Sequence, residues 1–187
     1  MPWSPSSFSA RQFVKIDPAH QNATQWRVDK LQELSVVNVT AALIASVVSG
    51  AFSWPMVDEA PWTAKASFYS TLFISLSAVA AGAQQSIALD RYGQHPEGIR
   101  QLQELLRGGS SGSVSWLQLY VWQLPIMLLN ISIVLFLVGI LILIWARAAH
   151  SAAWDDDMKI AFVASLAGLA GLVNYVIGAT ALYWRYS

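Results

Sequence analysis

Residues 124–145 read LPIMLLNISIVLFLVGILILIW. No charge interrupts the run, and it is long enough for a helix to cross the hydrocarbon core of a bilayer, which takes about 20 mostly apolar residues. It opens on Pro125, which we place near the start of the helix, where proline disrupts few backbone bonds. It closes on Trp145 and holds one amide, Asn130.

Three other stretches share this character. They are Leu34 to Trp54, about Ala66 to Leu89, and about Ile160 to Trp184; with its flanks, the quoted stretch extends over about 117–146. None of the four contains Asp, Glu, Lys, Arg or His. The composition agrees: 55% of the 187 residues are hydrophobic and 12% charged, about half the charge of an ordinary soluble domain. The expected fold class is all-α, an integral membrane up-down four-helix bundle. Short connections at 55–65 and 147–159 imply antiparallel neighbours. Residues 1–23, with Pro2, Pro5 and several serines, read as a flexible arm, and 24–187 as the transmembrane domain. The first twenty residues lack the apolar core of a signal peptide.

Lys and Arg near span ends set orientation. The arm, the 90–116 connection and the carboxyl end hold Arg11, Lys15, Arg27, Lys30, Arg91, Arg100, Arg107 and Arg185; the opposite side has Lys65, Arg147 and Lys159. Both termini are therefore expected in the cytosol. Tryptophan, which favours the headgroup zone, marks the same boundaries. Trp54, Trp62, Trp145 and Trp154 fall outside, Trp116, Trp122 and Trp184 inside, and Trp26 lies just before the first span.

Two polar segments read as amphipathic helices on the cytosolic side. Residues 24–34 lead into the first span. Residues 96–107 carry Ile99, Leu102, Leu105 and Leu106 on one stripe and stop at Gly108-Gly109. Such helices lie on the membrane surface or under the bundle; the second is also the candidate docking site for a protein partner.

Lys+Arg and Asp+Glu are both 11, so nucleic acid is not an expected partner. Without cysteine there is no thiolate chemistry. His20, His95 and His150 fall in separate segments, and no phosphate loop, zinc motif or nucleophile elbow occurs. Asp155, Asp156 and Asp157 favour the start of a helix through its dipole rather than a metal site. No catalytic, cofactor-binding or metal-ligating set is expected. The Asn-x-Ser/Thr matches at Asn22, Asn38 and Asn130 lie in the cytosol or the bilayer, and none is expected to be glycosylated.

Small residues let helices approach closely in lipid. The rows Ala42, Ser46 and Gly50, then Ala78 and Gly82, then Ala164 and Gly168 are candidate packing faces, with Ala41, Ala45 and Ser49 beside the first. The third span has one glycine, Gly139, and reads as lipid-facing or as packing through bulky side chains. Asn38, Gln84, Gln85, Asn130 and Asn174 fall in the cytosolic half of their spans; Asn130 lies about 14 Å in from Val121 and Asn174 about 15 Å in from Trp184. Unpaired amides in hydrocarbon cost several kcal/mol, so these five form a candidate intramembrane polar layer. It is either a dry hydrogen-bonded interface or a vestibule open to the cytosol.

Two stretches resemble a fungal family of four-helix membrane domains of unknown function. One is DKLQELSVVNVTAALIASVVSGAF at 29–52, where an Asp and spaced leucines lead into a small-residue helix. The other is the stretch at 124–145. The resemblance spans roughly residues 25–184 and implies a fungal source and a membrane location, with no activity to carry over. The functional expectation is a self-associating, non-enzymatic scaffold in the lipid bilayer, with a pore or channel subunit as the alternative.

Overall fold

The computed structural model describes residues 21–94, Gly98, 116–149 and 155–184. The arm at 1–20, the rest of the 96–107 stretch, His95, His150, Trp154 and Arg185 lie outside the described residues. The described residues are helical and contain no strand: α1 Gln21–Ala51, α2 Pro55–Asp58, α3 Trp62–Gln94, α4 Trp116–Ala148 and α5 Asp156–Trp184. The four long helices are each long and apolar enough to cross a membrane. The lead-in helix expected at 24–34 is not separate. It continues into the first span as α1, because nothing between Gln21 and Ala51 breaks a helix.

The short connections are built by their prolines. Trp54 is extended, and Pro55 follows at the first helical position of α2, where its missing N–H costs nothing. The Pro61 carbonyl accepts the amides of Ala64 and Lys65 and so starts α3. At α5 the Asp155 carbonyl accepts the amides of Met158 and Lys159, and its carboxylate accepts the Asp156 amide at 2.7 Å. Asp156 pairs with Lys159, and Asp157 with Arg147.

Three helices bury seams with a period near 3.5. On α3 the buried positions are Ala64, Phe68, Thr71, Ser75, Ala78, Gly82, Gln85 and Leu89, alternating by four and three residues. On α4 the seam is Trp122, Pro125, Leu129, Ser132, half-buried Phe136, Gly139 and Leu143. On α1 it begins Lys30, Leu34, Val37, Ala41. This is the period of helices that pack knobs into holes at shallow crossing angles. The seams bury Leu34, Phe68, Leu89 and Leu143, yet they also admit polar residues and leave large apolar ones outside. Buried positions include Thr71, Ser75, Gln85 and Ser132, while Val36, Leu43, Phe73, Leu76, Val134 and Leu166 are exposed.

The contacts divide the chain into two units, residues 1–45 with 74–131 and residues 46–73 with 132–187. In the first, Leu34 and Leu89 are fully buried and Trp26 meets Trp122 edge-on at 6.3 Å. The Arg27 side chain donates from Nε to the Leu89 carbonyl and from Nη2 to Asp90, each at 2.9 Å. In the second, Phe68 is fully buried between Phe52 at 6.3 Å and Phe136 at 6.2 Å. A methyl added at Gly139 would lie 3.0 Å from the Phe68 ring and 3.2 Å from Ser67 Cβ. The third span therefore does not pack through bulk alone, since its one glycine admits Phe68.

In the second unit α5 is joined by the Trp145 indole N–H, which donates to Ser165 Oγ at 2.9 Å, and by buried Ala161. Past Ser165 the side chains of Leu166, Leu169, Leu172, Val173, Tyr175 and Ile177 are exposed. Among the described residues α5 is the least buried of the four long helices: 6% of its most apolar window is buried against 17% for α4. Its glycines Gly168, Gly171 and Gly178 have nothing within reach of an added methyl, whereas Gly139 of α4 lies against Phe68.

Candidate functional site

The first unit holds four of the five amides. Asn38 is on α1, Gln84 and Gln85 on α3, and Asn130 on α4. Because successive helical residues point 100° apart, only one of the adjacent pair Gln84 and Gln85 can face a neighbour. Gln84 is exposed and Gln85 is buried in the α3 seam.

Gln85 Nε2 donates to the Val121 carbonyl at 2.6 Å. That carbonyl is four residues before Pro125, which has no N–H to offer it. Pro125, expected near the start of the helix, lies nine residues into α4, which begins at Trp116, and there it removes a helical bond. Gln85 supplies the missing donor from the next helix. Its own Oε1 is buried and has no hydrogen-bond partner among the described residues.

Asn38 faces Gly82. A methyl at Gly82 would overlap the Asn38 amide oxygen and come within 3.0 Å of Asn38 Cγ. The oxygen is buried without a conventional donor among the described residues. It lies where one of the Gly82 Cα hydrogens points, a weak C–H···O contact of the kind found between closely packed helices. Only glycine leaves this room, so Gly82 and Asn38 form one interlocked unit.

Asn130 is half-buried on α4. Asn174 belongs to the second unit, is exposed, and donates from Nδ2 to the Ala170 carbonyl of its own helix at 3.0 Å. The structure therefore joins Asn38 to α3 and Gln85 to α4, and brings neither Gln84 nor Asn174 into those contacts.

The small-residue rows divide in the same way. Ala78 and Gly82 are buried on α3. Ala42, Ser46 and Gly50 are exposed, and the neighbouring Ala41 and Ala45 are buried instead. Ala164 and Gly168 are half-buried.

Hydroxyls in the second unit satisfy themselves locally. Ser67 donates to the Thr63 carbonyl, Thr71 to Ser67 and Ser165 to Ala161, at 3.0, 2.8 and 2.7 Å. Each bond returns to the preceding turn, which lets a hydroxyl sit in apolar surroundings. Sequence reasoning did not identify the Arg27 clamp on Leu89 and Asp90, nor the burial of Lys30, which is 3% exposed and donates to Glu33 at 2.9 Å. The Gln85–Val121 bond had a usable signal, because a proline inside a span always leaves the carbonyl four residues earlier in need of a donor.

No family model, curated protein or solved structure matches the chain.

Proposed function

We propose that the chain is an integral membrane protein whose four long helices cross the bilayer in up-down order, with both termini on the cytosolic side, and that it acts as a self-associating scaffold without a catalytic site. One observation carries the membrane reading. The exposed faces of the long helices hold Val, Leu, Ile and Phe, while the buried seams admit Ser, Thr, Gln, Gly and Ala beside Leu34, Phe68 and Leu89. Water penalises that arrangement, whereas lipid favours it, since apolar side chains lose nothing there and small ones allow close backbone approach.

Self-association is supported by the exposed row Ala42, Ser46 and Gly50. Gly50 has nothing within 4 Å of an added methyl, so the row offers a flat face of the kind that pairs helices in membranes. The chain has no cysteine, so single cysteines report cleanly. In liposomes, Ala42→Cys and Ser46→Cys should form disulfide dimers, while Leu43→Cys and Val47→Cys on the adjoining face stay monomeric. Monomers at all four positions would refute self-association through this row. Orientation is tested by Asp58→Cys, which should react with an impermeant maleimide from the outer side only.

The channel reading keeps one supporting observation, the buried oxygens of Asn38 and Gln85 that have no conventional donor among the described residues. Against it, the Asn38 oxygen is packed against a glycine and the hydroxyls of Ser67, Thr71 and Ser165 bond to their own helices. Solute flux through reconstituted protein, abolished by Asn38→Leu, would favour the channel over the scaffold.

A further inference from the structure

We propose that the groove beside α2 seats one phospholipid with a zwitterionic headgroup. The proposal rests on the membrane reading above. The groove is half open and offers about 760 Å³, within the range of pockets that hold small molecules, roughly 300–1,000 Å³. Its apolar lining comes from Pro55, Met56, Pro61, Leu143 and Ala146, a surface suited to the upper part of an acyl chain.

Two opposite charges share that lining, Glu59 and Arg147. Glu59 is exposed and makes no ion pair among the described residues. Arg147 uses Nε on Asp157 at 3.1 Å, and its side chain is 57% exposed. Its remaining guanidinium N–H groups carry no hydrogen bond among the described residues. A guanidinium suits a phosphate, and a carboxylate suits a primary ammonium. A headgroup carrying both, on one molecule with an apolar tail, offers a partner to each charge and to the apolar lining of the groove. A net-anionic headgroup would match Arg147 and be repelled by Glu59.

The surroundings fit a lipid at the bilayer surface. Trp54, Trp62 and Trp145 adjoin Pro55, Pro61 and Ala146 in the chain and expose 39%, 78% and 45% of their surface, as residues of an interfacial belt do. The groove wall is also held in place before any ligand arrives. Pro55 and Pro61 fix the backbone at both ends of the turn, and Lys65 Nζ donates to the Asp58 carbonyl at 2.9 Å. Less ordering is then needed on binding.

The test is native mass spectrometry of the full chain in detergent with an equimolar mixture of phosphatidylethanolamine and phosphatidylglycerol. The expected result is one phosphatidylethanolamine retained per chain. Glu59→Gln should lower its preference over phosphatidylglycerol about fivefold, as for one partly exposed charge contact, and Asp58→Asn in the same turn should leave it unchanged. Leu143→Trp should fill the groove and displace the lipid; should that variant misfold, the two surface variants decide. Equal retention of both lipids, identical behaviour of Glu59→Gln and Asp58→Asn, or a lipid-free dimer would overturn the proposal. Alkaline carbonate extraction separates the two levels. A chain that stays in the membrane yet shows no lipid preference sinks the lipid seat alone, and a released chain sinks the membrane reading with it.

Discussion

Gln85 Nε2 lies 2.6 Å from the Val121 carbonyl oxygen, the acceptor that Pro125 cannot reach with a hydrogen. A side chain of one helix thus repairs the backbone of the next. Replacing it with Gln85→Leu should destabilise the protein by about 1–3 kcal/mol, the cost of leaving a buried polar group unpaired. Pro125→Ala should restore the N–H and remove most of that penalty. Thermal unfolding of the four combinations in detergent gives the coupling, expected at about 1 kcal/mol; additive effects would show that the bond contributes nothing.

The Gly82–Asn38 interlock predicts an asymmetric cycle. Gly82→Val should cost about 1–3 kcal/mol by overpacking. Asn38→Ala clears the space that the new side chain needs, so the double variant should be more stable than the sum of the singles. Chemical unfolding in a mild detergent would measure it, and strict additivity would show that the two residues do not touch in solution.

A methyl added at Gly139 would meet the Phe68 ring at 3.0 Å. Gly139→Leu should lower the melting temperature and loosen the Phe52–Phe68–Phe136 cluster, with a cost of about 1–3 kcal/mol. Aromatic methyl-free NOE contacts or near-ultraviolet dichroism should weaken together with it. A variant with native melting and native dichroism would refute the packing.

Arg27 makes two bonds of different worth. Its ion pair with Asp90, 57% exposed, should contribute no more than about 1 kcal/mol, so Asp90→Asn should be mild and its effect should shrink with added salt. Arg27→Ala also loses the bond to the Leu89 carbonyl and should cost more than Asp90→Asn at every ionic strength. Equal effects would mean that the carbonyl bond is unimportant.

The long helices were legible because their apolar runs exclude charge, and the observed ends fall within a few residues of those expected except where α1 continues back to Gln21. The buried seams were not. Ala41 and Ala42, or Gln84 and Gln85, differ by one position and 100°, and small or amide side chains carry no hydropathy signal to choose between them. The burial of Lys30 and the Arg27 clamp depend on which helix lies alongside, which no local pattern encodes. Asn174 shows the opposite limit. Depth along a helix is readable from residue count, but the direction of its side chain at that depth is not.

The α3 seam has a consequence for how this protein tolerates change. Ala64, Ser75, Ala78 and Gly82 lie on its buried face, while Phe73, Leu76 and Ile87 lie on the outward one. In a saturation mutagenesis experiment the outward Phe73, Leu76 and Ile87 would therefore accept almost any other apolar residue, and the small Ala78 and Gly82 would be as intolerant of change as the buried Phe68 and Leu89. Inheritance of the fold rests on keeping certain positions small.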